Sequence, residues 1–252
     1  MYPSRIDRIR RGIKIAIGVS AGLLLFTAIG LVIETALSPQ PKENTLPPPV
    51  PDLFGSTPAP ASPTPAATAP PATAPALTGP VQVIQGSQLI SGVYLGYPHS
   101  TQGAVSAADQ FAMQLGSTLD PDRAAAVMRL TADPSYPGGP QQFAQGVAGE
   151  RQDLGLPASG PVPAGASVVL DPVEYQVQDV TASQVTVLLL CDYVTTLPGA
   201  GTQARVSVYP LRMHWAQGDW KILTPASTSY SGLGAEPGSA QAASDGWQEL
   251  SP

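Results

Sequence analysis

Of 252 residues carrying a net charge of −6, only about 170 can build a folded core, because a basic tail, an uncharged apolar run and a Pro-rich stretch fill the first third. The charge is divided: residues 1–33 hold five Lys/Arg against one Asp, whereas residues 81–252 hold six Lys/Arg against fourteen Asp/Glu. An acidic C-terminal part repels a phosphate backbone, which excludes direct nucleic-acid binding by it, and a single cysteine, Cys191, excludes an intrachain disulfide.

In chain order, residues 1–14 form a basic tail containing Arg5, Arg8, Arg10, Arg11 and Lys14. Residues 15–33 (IAIGVSAGLLLFTAIGLVI) carry no charge, and as a helix they would reach about 28 Å, close to the hydrocarbon thickness of a bilayer. A transmembrane helix is therefore expected over 15–34. The positive-inside rule places the N-terminus in the cytoplasm and everything after Glu34 outside. A cleaved signal peptide is the competing reading, but its apolar core would be shorter, and Thr35-Ala36-Leu37-Ser38 is a poor cleavage site. Residues 35–80 are Pro, Ala, Thr and Ser with little to bury. They read as a disordered, semi-rigid polyproline-II tether with a reach of order 130 Å.

The exported domain is expected over 81–252, helices first and strands after. Ser100 or Thr101 caps a helix in which Ala104, Ala107, Ala108, Phe111 and Leu115 recur at helical spacing. Asp120-Pro121-Asp122 is a second helix start, with the helix ending before Asp133-Pro134. A third is expected over 140–154. Val173, Tyr175 and Val177 alternate with polar residues, the mark of a half-exposed strand. Residues 185–194 are apolar on both faces, so they predict a central, covered strand in which Cys191 is a small buried hydrophobe. Across 205–215 the apolar parity changes between Val208 and Leu211, which predicts a bulge at Tyr209-Pro210. Gly218-Asp219 then predicts a tight turn into a strand over 220–223, and the Ser/Gly/Ala-rich remainder is expected to be irregular, with Trp247 docking the end onto the core.

This order predicts an α+β fold, helices packed on a bent antiparallel sheet. No phosphate loop, CxxC, HExxH or Gly-x-Ser-x-Gly pattern is present, so no catalytic residue, metal site or cofactor is expected. The histidines are His99 and His214. His214 could serve catalysis with Asp192 or Asp109 orienting it, although the bulged register turns it away from the apolar face. Tyr97, His99 and His214 are the candidate binding residues.

The bent sheet wrapped by helices, closed by the hairpin Met213-His214-Trp215-Ala216-Gln217-Gly218-Asp219-Trp220-Lys221-Ile222, resembles the nuclear-transport-factor-2-like (NTF2-like) cone and its Trp-rich last hairpin. The run Gly96-Tyr97-Pro98-His99-Ser100-Thr101, then Gly103-Ala104-Val105 and Ala107-Ala108, resembles a family of actinobacterial single-pass membrane proteins, a match continued by 123–130 and Asp133-Pro134. In topology the chain is similar to the bitopic scaffold subunits of type IV secretion and conjugation channels, the VirB inner-membrane component and its TcpC-like counterparts. It departs from them in its long Pro-rich tether and in lacking the Asn-Pro motif of the Gram-negative members. The resemblance implies a non-enzymatic scaffold of a cell-envelope transfer machine, held in the membrane, with protein partners and self-association. The alternative is an exported ligand-binding or sensory domain, or a small hydrolase, that uses the cone as a pocket. A pocket needs polar groups converging in a concavity; a scaffold would have a filled cone.

Overall fold

The computed structural model describes residues 77–251. The basic tail, the expected span and nearly all of the expected tether lie outside the described residues. Among the described residues no helix is long and apolar enough to cross a membrane.

The elements are β1 (Val81–Gln82), β2 (Gln88–Ile90), β3 (Val93–Leu95), α1 (Thr101–Gly116), α2 (Pro121–Thr131), α3 (Gly139–Asp153), β4 (Ser167–Gln178), β5 (Gln184–Leu197), β6 (Gly201–Ala216), β7 (Asp219–Ile222), α4 (Ala240–Ser244) and β8 (Gln248–Ser251). The fold is α+β: helices lie on a sheet curled into a half-barrel, ordered β1-β8-β4-β5-β6-β7, and β2 and β3 make a separate hairpin. All its pairings are antiparallel except β1 with β8. The core begins slightly before residue 81, since Leu77 packs on it and Gly79 accepts a hydrogen bond from the Tyr175 hydroxyl at 2.9 Å.

The first two main helices start where their side-chain caps put them, while α3 follows Gly138 without one. The Ser100 hydroxyl accepts from the Gly103 N–H at 3.0 Å, and Asp120 accepts from Asp122 N–H at 2.9 Å with Pro121 opening α2. Gly103 is obligatory by space, because a Cβ there would lie 2.1 Å from the Pro98 carbonyl oxygen. The small residues of α1 let it lie against the sheet, with Ala104, Ala107, Ala108 and Phe111 all at zero exposure.

β5 is central and covered on both faces, as its sequence predicts. Val187, Leu189 and Cys191 enter the main core under the helices. Leu188 and Leu190 enter a second cluster on the opposite face, built with Ala235, Ala242 and Trp247. That second cluster corrects the reading of β6. The strand pairs with β5 in unbroken register from Gly201 to His214, with Pro210 opposite Leu188, so no bulge lies at Tyr209-Pro210. The parity changes because both faces are buried: Leu211 and Met213 face the helices, while Val206 and Val208 face the C-terminal segment. Pro210 is tolerated because β7 pairs only with Met213–Ala216, which leaves Pro210 on an edge. The register shift falls instead between Pro172 and Glu174 of β4.

The β6–β7 turn is also one residue earlier than expected. Gln217 (φ 56°) and Gly218 (φ 78°) are its two central residues, and Asp219 already belongs to β7. Trp247 docks as expected, 4% exposed, its indole N–H donating to the Leu233 carbonyl at 3.0 Å. The end of the chain is more regular than its composition suggests, because β8 completes the sheet between β1 and β4.

Candidate functional site

The bulge in β4 is where the molecule opens. In a regular strand successive side chains point to opposite faces; an extra residue bends the strand and re-aims its neighbours. Here four consecutive residues, Asp171, Pro172, Val173 and Glu174, all line one cavity of about 630 Å³. β8 pairs with β4 only at Glu174 and Tyr175, so the preceding stretch of β4 has no neighbour there and forms a wall. α1 supplies Asp109, Gln110 and Met113, residues 83–85 a strap after β1, and Glu249 and Leu250 the far side.

Asp109 is part of the lining of this cavity. It is 6% exposed, and no hydrogen bond joins its carboxyl to another described residue. Burial, and then the negative charge of Asp171, push its pKa up to about 7. Tyr97 lines the same cavity. It is buried, with its ring edge-on to Phe111 at 6.0 Å and its backbone N–H donating to the Asp219 carboxylate at 3.0 Å. Burial first, then the charges of Asp109 and Asp219, raise its phenol above the ordinary value. Glu174 accepts from the Gly238 N–H at 2.8 Å through one oxygen; its other oxygen is buried with no hydrogen-bond partner.

The three sequence candidates do not converge. Tyr97 belongs to the cavity. His99 stacks on Trp215 at 4.2 Å with the rings 7° from parallel, and meets Trp220 edge-on at 5.8 Å. Its Nε2 lies 2.7 Å from the Ala182 carbonyl. His214 points its Nδ1 at Asp133, 2.8 Å away; neither Asp109 nor Asp192 orients it. Neither histidine lines the cavity. Cys191 is buried with its thiol pushed well above the ordinary value by burial, then by Asp109, Asp171 and Asp192, an unreactive setting. No group of three metal-ligating side chains occurs among the described residues.

Sequence reasoning names Asp109 only as a partner for His214 and misses Asp171, Glu174 and Glu249, although two signals mark the cavity. Asp109 follows Val105 by four residues and precedes Ala112 by three, a lone acid on an apolar helix face. Asp171-Pro172 puts proline inside a strand, which only a bulge or an edge accepts. Pro210 obeys the same rule by lying on an edge, so the bulge expected there falls instead at Pro172.

No curated protein and no solved structure matches the chain. The family model described as a domain of unknown function (DUF8175) covers residues 55–247, more than two thirds of the sequence and every cavity residue named above except Glu249 and Leu250. The chain thus belongs to the DUF8175 family.

Proposed function

We propose that this chain is a single-pass membrane protein whose exported, NTF2-like domain binds a small ligand in the cavity between α1, β4 and β8. One observation carries the reading: Asp109, nearly fully buried, presents an unpartnered carboxyl to a cavity of about 630 Å³. Burying such a group is costly unless something satisfies it, and this volume lies in the range of small-molecule sites. The curled sheet with helices across it supports the NTF2-like cone, and the charge-flanked apolar run of 15–33 supports the anchor. We take the domain to be non-enzymatic, because both histidines are engaged away from the cavity.

The test uses the full chain in detergent micelles or nanodiscs, screened against a broad small-molecule library by thermal shift. Met113 lines the cavity, so Met113→Trp fills it. Compounds that stabilise the native protein and not the Met113→Trp variant support the reading. A library without any such compound sinks it.

The scaffold of a secretion or conjugation machine is the second reading. The observation in its favour is the outer edge of β6 over 201–208, which no strand of the described residues pairs with. Such an edge is a template for association with another chain. Crosslinking in cells followed by recovery of channel subunits would favour it over the cavity reading.

A further inference from the structure

We infer that the cavity selects an organic cation, an amine or quaternary ammonium carried on an apolar body; the inference rests on the ligand-binding reading above and specifies its ligand class. Four acids line the cavity from three elements: Asp109 on α1, Asp171 and Glu174 on β4, and Glu249 on β8. No Lys, Arg or His is among the described residues that line it. An anion entering would meet only like charge. A neutral ligand could offer the buried Asp109 carboxyl a hydrogen bond but no charge to balance the four acids. A cation supplies what the site lacks.

Two further features narrow the class. Tyr94 and Tyr97 are both in the lining, and aromatic faces attract ammonium groups through the ring quadrupole. Met113, Pro172, Val173 and Leu250 make much of the remaining wall apolar, with Gln85 and Gln110 its uncharged polar members, and a bare metal ion would not use the apolar part. The absence of a three-ligand cluster among the described residues points the same way. A charged head beside Asp109 with a hydrocarbon or aromatic body against Met113 and Val173 uses both halves of the lining.

The groups whose charge acts with that of Asp109 are Asp171 from β4, Tyr97 from the segment before α1 and the Cys191 thiol of β5, while Glu174 from β4 and Glu249 from β8 line the same cavity. All are acids, so none competes with a cation for Asp109. A bound cation favours the ionised carboxyl, and binding should release a proton near neutral pH.

The experiment is isothermal titration calorimetry on the full chain in detergent at about pH 8. Three probes share one indole body and differ in the head: tryptamine (cation), tryptophol (neutral) and indole-3-propionate (anion). Tryptamine is expected to bind at least about tenfold more tightly than tryptophol, with indole-3-propionate weakest. Asp109→Asn should sharply reduce that preference without weakening tryptophol. Glu249→Gln, at the exposed rim, should weaken tryptamine severalfold and gives a second reading should the Asp109 variant fold poorly. Equal or tighter binding of the neutral or anionic probe overturns the cation class and leaves the cavity reading standing. Silence from all three at millimolar concentration overturns it too; the library screen with Met113→Trp then decides separately whether the cavity binds anything.

Discussion

His214 Nδ1 lies 2.8 Å from the Asp133 carboxylate, joining the loop after α2 to β6 across 81 residues of sequence. Asp133 also accepts from the Ser135 N–H at 2.8 Å and its hydroxyl at 2.6 Å. Its own N–H donates to the Ile222 carbonyl at 2.8 Å. Burial pushes this carboxyl up, but the hydrogen bonds from Ser135 and His214 outweigh it and hold the group below its ordinary value. The pair is a clasp between helix layer and sheet.

Asp133→Ala leaves those donors without an acceptor. A loss of about 1–3 kcal/mol is expected, read as a Tm drop of roughly 2–4 °C per kcal/mol for a domain of this size. Because the folded carboxyl is depressed, its contribution is complete above the unfolded value of about 3.9 and disappears as pH falls through the lower folded value. Acid unfolding of Asp133→Asn should lack that component. Ligand binding in the cavity should be untouched; an Asp133 or His214 variant that folds normally but loses binding would contradict the placement of His214 outside the site.

Arg151 carries the second expectation. It has zero exposure, and its guanidinium donates to the carbonyls of Leu119 (3.3 Å), Gly160 (2.9 Å), Ser159 (3.2 Å) and Pro161 (3.2 Å). The planar fork reaches four acceptors at once; an ammonium cannot reproduce that geometry. Arg151→Lys should therefore cost about 1–3 kcal/mol and expose the segment 155–166 to limited proteolysis. Native-like protection of that segment in the variant would show that the loop is held by something else.

Much of this architecture is legible in sequence where one local rule suffices. Ser100 and Asp120 start helices because their side chains accept the first free N–H groups, and 185–194 reads as a covered strand because, Thr186 and Asp192 apart, apolar residues fall on both of its faces. Legibility fails where a residue's meaning depends on a distant partner. The parity change in β6 looks like a bulge until Trp247 and Ala242, more than thirty residues later, cover Val206 and Val208. The hairpin of β2 and β3 turns on Ser91 (φ 49°) and Gly92 (φ 78°), a Ser-Gly signal inside a short run that periodicity does not resolve. The cavity is the extreme case. Its acids come from positions 109, 171, 174 and 249, and no spacing rule connects residues so far apart.

Two buried carboxyls predict how stability varies with pH. Burial raises Glu150 to about 7, with Arg205 opposing and Asp153 adding to the shift; Asp109 stands at about 7 as well. The Tyr193 hydroxyl donates to Glu150, and the Arg205 guanidinium lies over the Tyr193 ring at 4.4 Å. A carboxyl whose folded pKa is raised binds its proton in the native state and has lost it in the unfolded one between the two values. Stability should thus fall as pH rises from about 4.5 to 7, and flatten above. Glu150→Gln and Asp109→Asn should each reduce that slope. Urea melts at a series of pH values measure it, and a slope unchanged in both variants would refute the assignment.

The strap that walls the cavity links a ligand there to the β1–β8 pairing. Residues 83–85 line the cavity immediately after β1, and β1 pairs with β8 at Val81 with Leu250 and Gln82 with Ser251. The Val83 N–H donates to Ser251 at 2.7 Å and the Ile84 N–H to the Ser106 hydroxyl at 3.1 Å. This pairing is two residues long on each strand, and so short a ladder is expected to open locally far more often than the β4–β5–β6 sheet. A ligand seated against Glu249 and residues 83–85 stabilises the closed form in proportion to its occupancy. Hydrogen exchange of the full chain should therefore slow at 83–85 and 249–251 when a cavity ligand is added, while exchange in β5 stays constant. Slowing spread evenly over the domain would instead mean that the ligand raises global stability and that the strap has no separate opening. A strap that opens alone would let occupancy of the cavity govern how firmly β1 is held against β8.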